Sequence, residues 1–236
     1  VALISQKQKT ICFLEGHGER DIESQEEPGY GAAKKLLEGD NYKTKTLNLA
    51  IEKKVPADCM VIAVVGPEKF FTGPEMKAMQ NYLENGGRAL FMLDPMKNTG
   101  APEFLAGWGV KIGNDIVIDR ARYFANDPLT PVPEYGDHDI VTELRNSKLT
   151  VCLPGARSVS ESDSKPAGAF VTEFLTSSSD SWAETDMATT PPKQDKGADL
   201  AGPVPLAVAV VKSVEGKAVR KRGGKKPDNT EGTTIE

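Results

Sequence analysis

Two hydrophobic periodicities alternate along the first 95 residues of the chain. Short apolar or alternating runs predict strands at 10–14, 42–49, 59–65 and 88–93. Apolar side chains spaced by three or four residues predict helices at 28–38, before Gly39, and from Thr72 to the Gly86-Gly87 pair. Thr72 and Glu75 have the spacing of a capping box. This order with short connections predicts an α/β fold with a doubly wound, mostly parallel sheet and helices on both faces.

The pattern weakens after residue 95. We predict short strands within 110–118, a helix at 139–145, and strands at 149–153, 170–176 and 204–211. Residues 126–138 contain three prolines and are predicted to form a loop. Residues 177–203 are rich in Ser, Thr, Asp, Lys and Pro, and we predict that they form a long surface excursion. We therefore expect one α/β domain over residues 1–236, with its core in 9–155 and with 156–236 completing it.

Composition narrows the class of protein. A hydrophobic content of 39% excludes collagen-like and wholly disordered chains, and a formal net charge of −5 is too small to indicate nucleic-acid binding. Cys12, Cys59 and Cys152 all fall in apolar runs, so we expect buried, unreactive thiols. The chain opens at Val1 without a signal pattern and ends on polar residues, and we interpret it as a piece of a longer protein.

A basic cluster lies near the carboxyl end, with six Lys or Arg residues among the ten at 217–226. It contains no aromatic residue on which bases could stack, which argues against nucleic acid. We predict a solvated hairpin tip there. A patch for lipid headgroups or for an acidic partner is the alternative.

The segment Glu15-Gly-His-Gly-Glu19 follows the first predicted strand, where a doubly wound sheet usually binds its ligands. A dinucleotide fingerprint would need a third glycine at position 21, which is Asp21, and the acidic residues that follow would repel a pyrophosphate. Two interpretations remain. His17 lies in a tight turn and is satisfied by hydrogen bonds, or it contacts a ligand or a partner.

Two other turns are expected at the same edge of the sheet, Gly66-Pro67 and Asp94-Pro95. Together the three turns predict a binding crevice formed by Glu15, Gly16, His17, Gly18, Glu19, Gly66, Pro67, Asp94 and Pro95. None of these turns offers the Ser or Cys of a nucleophile elbow, and the acidic residues lack the spacing of known metal ligand sets. We therefore expect no catalytic residue, no metal and no cofactor.

Taken in order, these and later motifs resemble the gliding-motility-type ABC transporter auxiliary proteins. The resemblance covers nearly the whole chain. It rests on the runs Ile11–Glu19, Tyr30 with Leu36-Leu37, Val55–Asp58, Gly66-Pro67, Glu75, Tyr82-Leu83, Gly86-Gly87, Leu93–Pro95, His138–Ile140, Cys152–Ser158, Leu175–Ser177 with Trp182, and Gly202-Pro203 before Leu206–Val208.

This resemblance implies a membrane-anchored protein on the extracytoplasmic, periplasmic face of the bacterial cytoplasmic membrane. It implies a fold like that of class I glutamine amidotransferases, a permease and an ATPase as partners, and a membrane segment that this chain lacks. It implies a transport or gliding component and not an enzyme. A family strand that would precede the membrane segment is also missing, so we expect the sheet to lack an edge strand or to be completed by a partner.

Three functions follow as hypotheses. The first is a non-catalytic binding or scaffolding domain of an ABC-type transport or motility complex. The second is an amidotransferase-like hydrolase that uses His17 and an acid. The third is a carbohydrate- or peptidoglycan-binding module, indicated by the acidic crevice and by Trp108 and Trp182.

Overall fold

A computed structural model describes residues 8–189 and 191–213, and the basic cluster 217–226 lies outside them. The strands are β1 Lys9–Leu14, β2 Tyr42–Leu47, β3 Cys59–Val65, β4 Ala89–Met92, β5 Val110–Ile112, β6 Ile116–Asp119, β7 Tyr123–Phe124, β8 Asp127–Pro131, β9 Glu134–Tyr135, β10 Val159–Glu161, β11 Ala169–Thr176, β12 Ser181–Glu184, β13 Leu200–Ala201 and β14 Pro205–Lys212. The helices are α1 Gly31–Gly39, α2 Leu49–Glu52, α3 Gly73–Glu84, α4 Ala101–Ala106 and α5 Asp139–Asn146.

The first four strands form a parallel sheet in the order β2-β1-β3-β4. Each strand predicted in this part of the chain is present, although β2 ends at Leu47 and Asn48 caps the short helix α2, where we had predicted strand to residue 49. Helix α3 begins with the predicted capping box of Thr72 and Glu75. A mixed α/β fold with a parallel sheet is therefore confirmed.

Side chains of β3 alternate between the two faces of this sheet. Ile62 and Val64 belong to a core that includes Met79 of α3, whereas Ala63 and Val65 belong to a second core packed against Leu37 of α1. The helices thus cover opposite faces, so the strand is buried on both.

The prediction of free, buried thiols is wrong for two of the three cysteines. Cys12 of β1 and Cys59 of β3 form a disulfide with Cα atoms 5.7 Å apart. The two residues lie on neighbouring parallel strands, which brings their side chains together within one core. Cys152 is free and half-buried.

The strands after β4 form antiparallel sheets, so the prediction of a mostly parallel sheet holds only up to Met92. Their orders are β10-β5, β14-β11-β9, β13-β12-β6 and β7-β8. The loop predicted at 126–138 contains β8 and β9, because the hairpin turn at Ala125 and Asn126 starts a strand whose prolines lie in a two-stranded sheet. The predicted strand at 149–153 is irregular, since the Val151 amide donates to the Tyr135 hydroxyl and not to a strand.

The surface excursion predicted at 177–203 is wrong for its first part, because strand β12 is fully buried between β6 and β13, whereas most described residues from 185 to 203 are exposed. Its polar groups are satisfied internally. The Ser178 hydroxyl donates to the buried Asp119 carboxylate at 2.6 Å, and the Trp182 indole donates to Glu184 at 2.9 Å. The polar residues between 177 and 184 therefore belong to an internal hydrogen-bond network.

A buried arginine joins the parallel sheet to the antiparallel part. The Arg157 guanidinium donates to the carbonyl oxygens of Gly113, Asp94 and Lys97. Within residues 8–189 and 191–213, no helix has both the length and the apolar character needed to cross a bilayer.

Candidate functional site

The carboxyl edge of the parallel sheet brings the three predicted turns together. The amides of Glu68 and Lys69, which follow β3, donate to the His17 carbonyl at 2.8 and 2.9 Å. The Arg20 amide donates to the Val65 carbonyl at 2.9 Å. Backbone hydrogen bonds therefore join the turn after β1 to the turn after β3.

Two glycines make this close approach possible. Gly18 has a φ of +83°, and a Cβ there would lie 3.1 Å from the Cβ of Glu68. Gly66 has a φ of +59°, and a Cβ there would lie 2.9 Å from Nε of Arg20. A side chain at either position would separate the turns, which explains why glycine occupies both.

His17 lies between two buried carboxylates. Its Nε2 is 3.2 Å from Oε2 of Glu75, and its Nδ1 is 3.7 Å from Oε1 of Glu19. The exposed fraction is 12% for the imidazole and 2% and 3% for the side chains of Glu19 and Glu75. The ring also packs against Phe71, with centroids 4.6 Å apart. These contacts hold the imidazole within its turn, but its Nδ1 has no hydrogen-bond partner, so the ring is not fully satisfied by hydrogen bonds.

Glu75 connects this cluster to helix α3. Its Oε2 accepts hydrogen bonds from the Thr72 amide at 2.8 Å and the Thr72 hydroxyl at 2.6 Å, in addition to facing His17. Burial, the largest single effect, raises the pKa of Glu75, but the bonds from Thr72 and the interactions with His17 outweigh it and hold the pKa below its ordinary value. The sequence indicates Glu75 as a capping residue and as one motif of the family resemblance, but not as a neighbour of His17. Its place at the start of the helix after β3, on the same edge as His17, was the signal for this second contact.

Three atoms in the cluster have no hydrogen-bond partner although they are buried: Nδ1 of His17, Oε1 of Glu19 and Oε1 of Glu75. Glu19 is held by its other oxygen, which accepts from the His17 amide at 2.7 Å. The two nitrogens of the imidazole face different carboxylates, so the three side chains do not converge on one point. In the part of the chain that the structure describes, no group of three or more His, Cys, Asp or Glu residues is placed to hold a metal ion.

The outer part of the crevice contains an ion pair that the sequence analysis missed. Arg20 Nη2 lies 2.6 Å from the Asp94 carboxylate, and the two side chains are 25% and 35% exposed. Arg20 thereby joins the turn after β1 to the end of β4. In the sequence Asp94 is one of several acids expected at the crevice, and nothing in the sequence indicates that Arg20 pairs with it.

The nine predicted crevice residues differ in what they present to solvent. Glu15, Gly16 and Gly18 are exposed; His17, Glu19, Asp94 and Pro95 are half-buried; Gly66 and Pro67 are buried. Glu68, which was not among them, is exposed beside Gly18. The accessible surface of the crevice is therefore mainly acidic and backbone-lined.

The contacts of His17 and His138 show whether either imidazole is hydrogen-bonded to a nucleophilic side chain. The Thr72 hydroxyl lies close to His17, but it donates to Glu75 and not to the imidazole. His138 caps helix α5, where its Nδ1 accepts from the Ile140 amide at 3.1 Å, and its ring packs on Phe174. Both imidazoles therefore make structural contacts: His17 with Glu75 and Phe71, and His138 with the start of α5 and with Phe174.

Comparison with known structures identifies similar folds. The chain is similar to the mmIFT52 N-terminal domain, with 21% identity over 72% of this chain and 74% of that one and a TM-score of 0.59. It is also similar to a putative ThuA-like protein from Bacteroides uniformis ATCC 8492, with 19% identity over 86% and 77% of the two chains and a TM-score of 0.50. A glutamine amidotransferase from Thermotoga maritima matches at 10% identity over 73% and 68%, with a TM-score of 0.39.

No curated protein matches the chain. The model of the family described as "ABC-type uncharacterized transport system" matches residues 8–232, which is nearly the whole chain. The match includes all the strands and helices described above and the three turns of the crevice. The chain therefore belongs to this family of ABC-type transport system components.

Proposed function

We propose that this domain is a non-catalytic auxiliary component of an ABC-type transport or gliding-motility complex. It lies on the extracytoplasmic face of the bacterial cytoplasmic membrane, beside a permease and a separate ATPase. It binds a partner or a transported substrate through the crevice at the carboxyl edge of the parallel sheet. The family match supports the transport role, and the residues of the crevice support binding without catalysis.

The position of His17 is the observation that carries this proposal. A general base must present a free nitrogen to the proton that it removes. Nε2 of His17 instead faces the buried Glu75 carboxylate, and Nδ1, which has no hydrogen-bond partner, is itself buried beside Glu19; the imidazole is 12% exposed. The imidazole therefore stabilises the turn. Glu15 and Glu68 are exposed, so they are the acidic side chains that a partner can contact.

The disulfide supports the extracytoplasmic location. Disulfides form and persist in oxidising compartments, whereas the bacterial cytoplasm keeps thiols reduced. Cys12 and Cys59 are linked within the core of the parallel sheet, where the bond joins two neighbouring strands.

For the fold we propose the doubly wound, class I amidotransferase-like type. The two cores on opposite faces of the sheet support this proposal, because α1 covers one face and α3 the other. Enzymes of that type place a cysteine at a nucleophile elbow. Here the turn after β3 begins with Gly66-Pro67, and Cys59 at the other end of that strand is in the disulfide.

The contacts of the two tryptophans do not favour a glycan-binding module. Trp182 is 3% exposed and lies under the Arg120 guanidinium, 4.6 Å from its ring centroid. Trp108 is half-buried, with the Lys212 ammonium 4.9 Å from its ring centroid. Trp182 is therefore inaccessible to a sugar, and one face of the Trp108 ring is covered by Lys212.

Co-purification from native membranes tests the proposal. The full-length protein should bring down a permease and an ATPase, and Glu15→Lys/Glu68→Lys should reduce their recovery several-fold. A matched variant, Glu143→Lys/Asp163→Lys, changes two exposed acids away from the crevice and should leave recovery unchanged. Recovery of neither subunit with the wild-type protein would contradict the transport role.

A second experiment tests the non-catalytic part. The wild-type protein and His17→Ala are assayed against panels of amide, ester and glycoside substrates, with folding checked by circular dichroism. We expect no turnover by either protein. Turnover that is lost in the folded His17→Ala variant would establish an enzyme instead.

A further inference from the structure

A second concave surface lies at the amino edge of the parallel sheet, opposite the crevice. It is a cleft of about 500 Å³ between the end of α2, the carboxyl end of α3 and the first residues of β3 and β4. We call it the basic cleft and define it by Lys53, Lys54, Asn81, Tyr82, Asn85 and Arg88. A volume of this size suits a small ligand.

Of the residues that the structure describes, three cations line the basic cleft and no carboxylate does. Three acids, Glu52, Asp58 and Glu84, are adjacent in sequence to lining residues, and the contacts of two of them are known. Asp58 pairs with Lys45 at 2.9 Å, and Glu84 accepts a hydrogen bond from Gln80 at 2.8 Å. Within the described part of the chain none of these three carboxylates lies within ion-pair distance of a cation of the cleft, although the formal net charge of the chain is −5.

The three cations are available to a ligand. Over residues 8–189 and 191–213, neither Lys54 nor Arg88 has a carboxylate oxygen within ion-pair distance, and both side chains are exposed. Lys53 donates to the Ala50 carbonyl, which holds its ammonium at the end of α2. Since an ammonium has three hydrogens, this bond leaves two for a ligand.

The wall of the cleft is rigid and carries neutral polar groups. The Tyr82 ring packs directly on Gly87, where the Cβ of any other residue would lie 2.5 Å from Cδ1 of the ring. Its hydroxyl donates to the Cys59 carbonyl at 3.3 Å, and burial raises the pKa of Tyr82, so the phenol stays protonated and keeps this bond. The Asn85 amide nitrogen donates to the Asn81 carbonyl, which satisfies part of the helix end.

The carboxyl end of α3 opposes an anion in the cleft, so the two effects have to be weighed. The helix dipole corresponds to roughly half a negative charge at that end. Backbone amides of Asn85, Gly86 and Gly87 already donate to the last carbonyls of the helix. Three full positive charges exceed this effect, so the potential of the cleft favours an anion.

We propose that the basic cleft binds a phosphate group, presented by a lipid headgroup or by a soluble phosphate compound. Phosphate matches these residues because it offers up to two negative charges and several acceptor oxygens. The Arg88 guanidinium donates to two of the oxygens at once, while Lys53 and Lys54 act as point charges. This site is separate from the crevice and does not depend on the function proposed for it.

The test uses the full 236-residue chain, isotope-labelled, with inorganic phosphate, pyrophosphate, and vesicles of pure phosphatidylcholine or with 30% phosphatidylglycerol as probes. NMR shifts of the Gly86 and Gly87 amides report binding at the cleft itself. Lys54→Gln/Arg88→Gln should weaken binding at least about tenfold. Lys111→Gln/Lys193→Gln removes two exposed charges elsewhere and should have no effect.

The source of the phosphate follows from which probe shifts these amides in a saturable way. Saturation by pyrophosphate indicates a soluble ligand, whereas saturation only by phosphatidylglycerol vesicles indicates a headgroup. The proposal is overturned if no probe shifts the two amides, if only resonances of 217–226 respond, or if the cleft variant binds as tightly as its control.

Discussion

Reduction of the Cys12–Cys59 disulfide is expected to cost a large part of the stability of the domain. The two cysteines are separated by 47 residues in sequence, and their bond closes that loop in the unfolded chain. In the chain-entropy treatment a loop of this length corresponds to about 4 kcal/mol at 25 °C, against ~2–4 kcal/mol for most disulfides. We therefore expect the free energy of unfolding to fall by about 4 kcal/mol.

Urea unfolding followed by tryptophan fluorescence and circular dichroism measures this change. The oxidised protein is compared with protein reduced in dithiothreitol, which has the same sequence, and with Cys12→Ala/Cys59→Ala, which cannot form the bond. Cys152→Ala is the matched control because it removes the free cysteine and keeps the disulfide, so its stability should fall on reduction as that of the wild type does. The stability of Cys12→Ala/Cys59→Ala should not depend on reductant.

Thiol counting gives the independent check. Oxidised protein unfolded without reductant should react at one thiol, and protein unfolded with reductant at three. Three reactive thiols in protein isolated from an oxidising compartment would show that the bond does not form there. A loss below about 1 kcal/mol on reduction would show that loop closure does not stabilise this fold as reasoned.

Three further outcomes are expected. The pKa of Glu75 is lower in the folded than in the unfolded protein, so its contribution to stability is complete above the unfolded-state pKa and is lost as pH falls through the folded-state pKa. Glu75→Gln should therefore reduce the loss of stability on acidification, measured as the free energy of unfolding from pH 6 to 3. Gly87→Ala should destabilise by about 1–3 kcal/mol through its clash with a ring, whereas Gly39→Ala, which meets nothing within 4 Å, should be neutral or stabilising; equal midpoints in urea would contradict the packing argument. Trp182→Phe should cost roughly 1–3 kcal/mol because it leaves the buried Glu184 carboxylate without its indole donor, and a thermal midpoint equal to that of the wild type would refute this.

The first half of the fold could be predicted because its signals are local. Strand β3 is an uninterrupted apolar run, and the capping box of Thr72 and Glu75 marks the start of α3 within four residues. The second half could not be predicted in the same way. Its strands are stabilised by partners distant in sequence, such as the bond from Ser178 to Asp119, so polar residues that suggested a surface are buried.

The candidate site, too, could be predicted only where its signals are local in sequence. The turn around His17 was identifiable from its two glycines and its place after a strand, but its partner Glu75 lies on another element, 58 residues away. The disulfide was missed for a related reason. Cys12 and Cys59 fall in separate apolar runs, and only the order of the strands in the sheet makes them neighbours.

Two arginines converge on Asp94 from opposite sides. Arg20, in the turn after β1, holds its carboxylate, and Arg157, beyond the parallel sheet, holds its carbonyl. Asp94 is therefore held from both parts of the domain. A ligand in the crevice that displaced its carboxylate from Arg20 would act on the same residue whose carbonyl Arg157 holds.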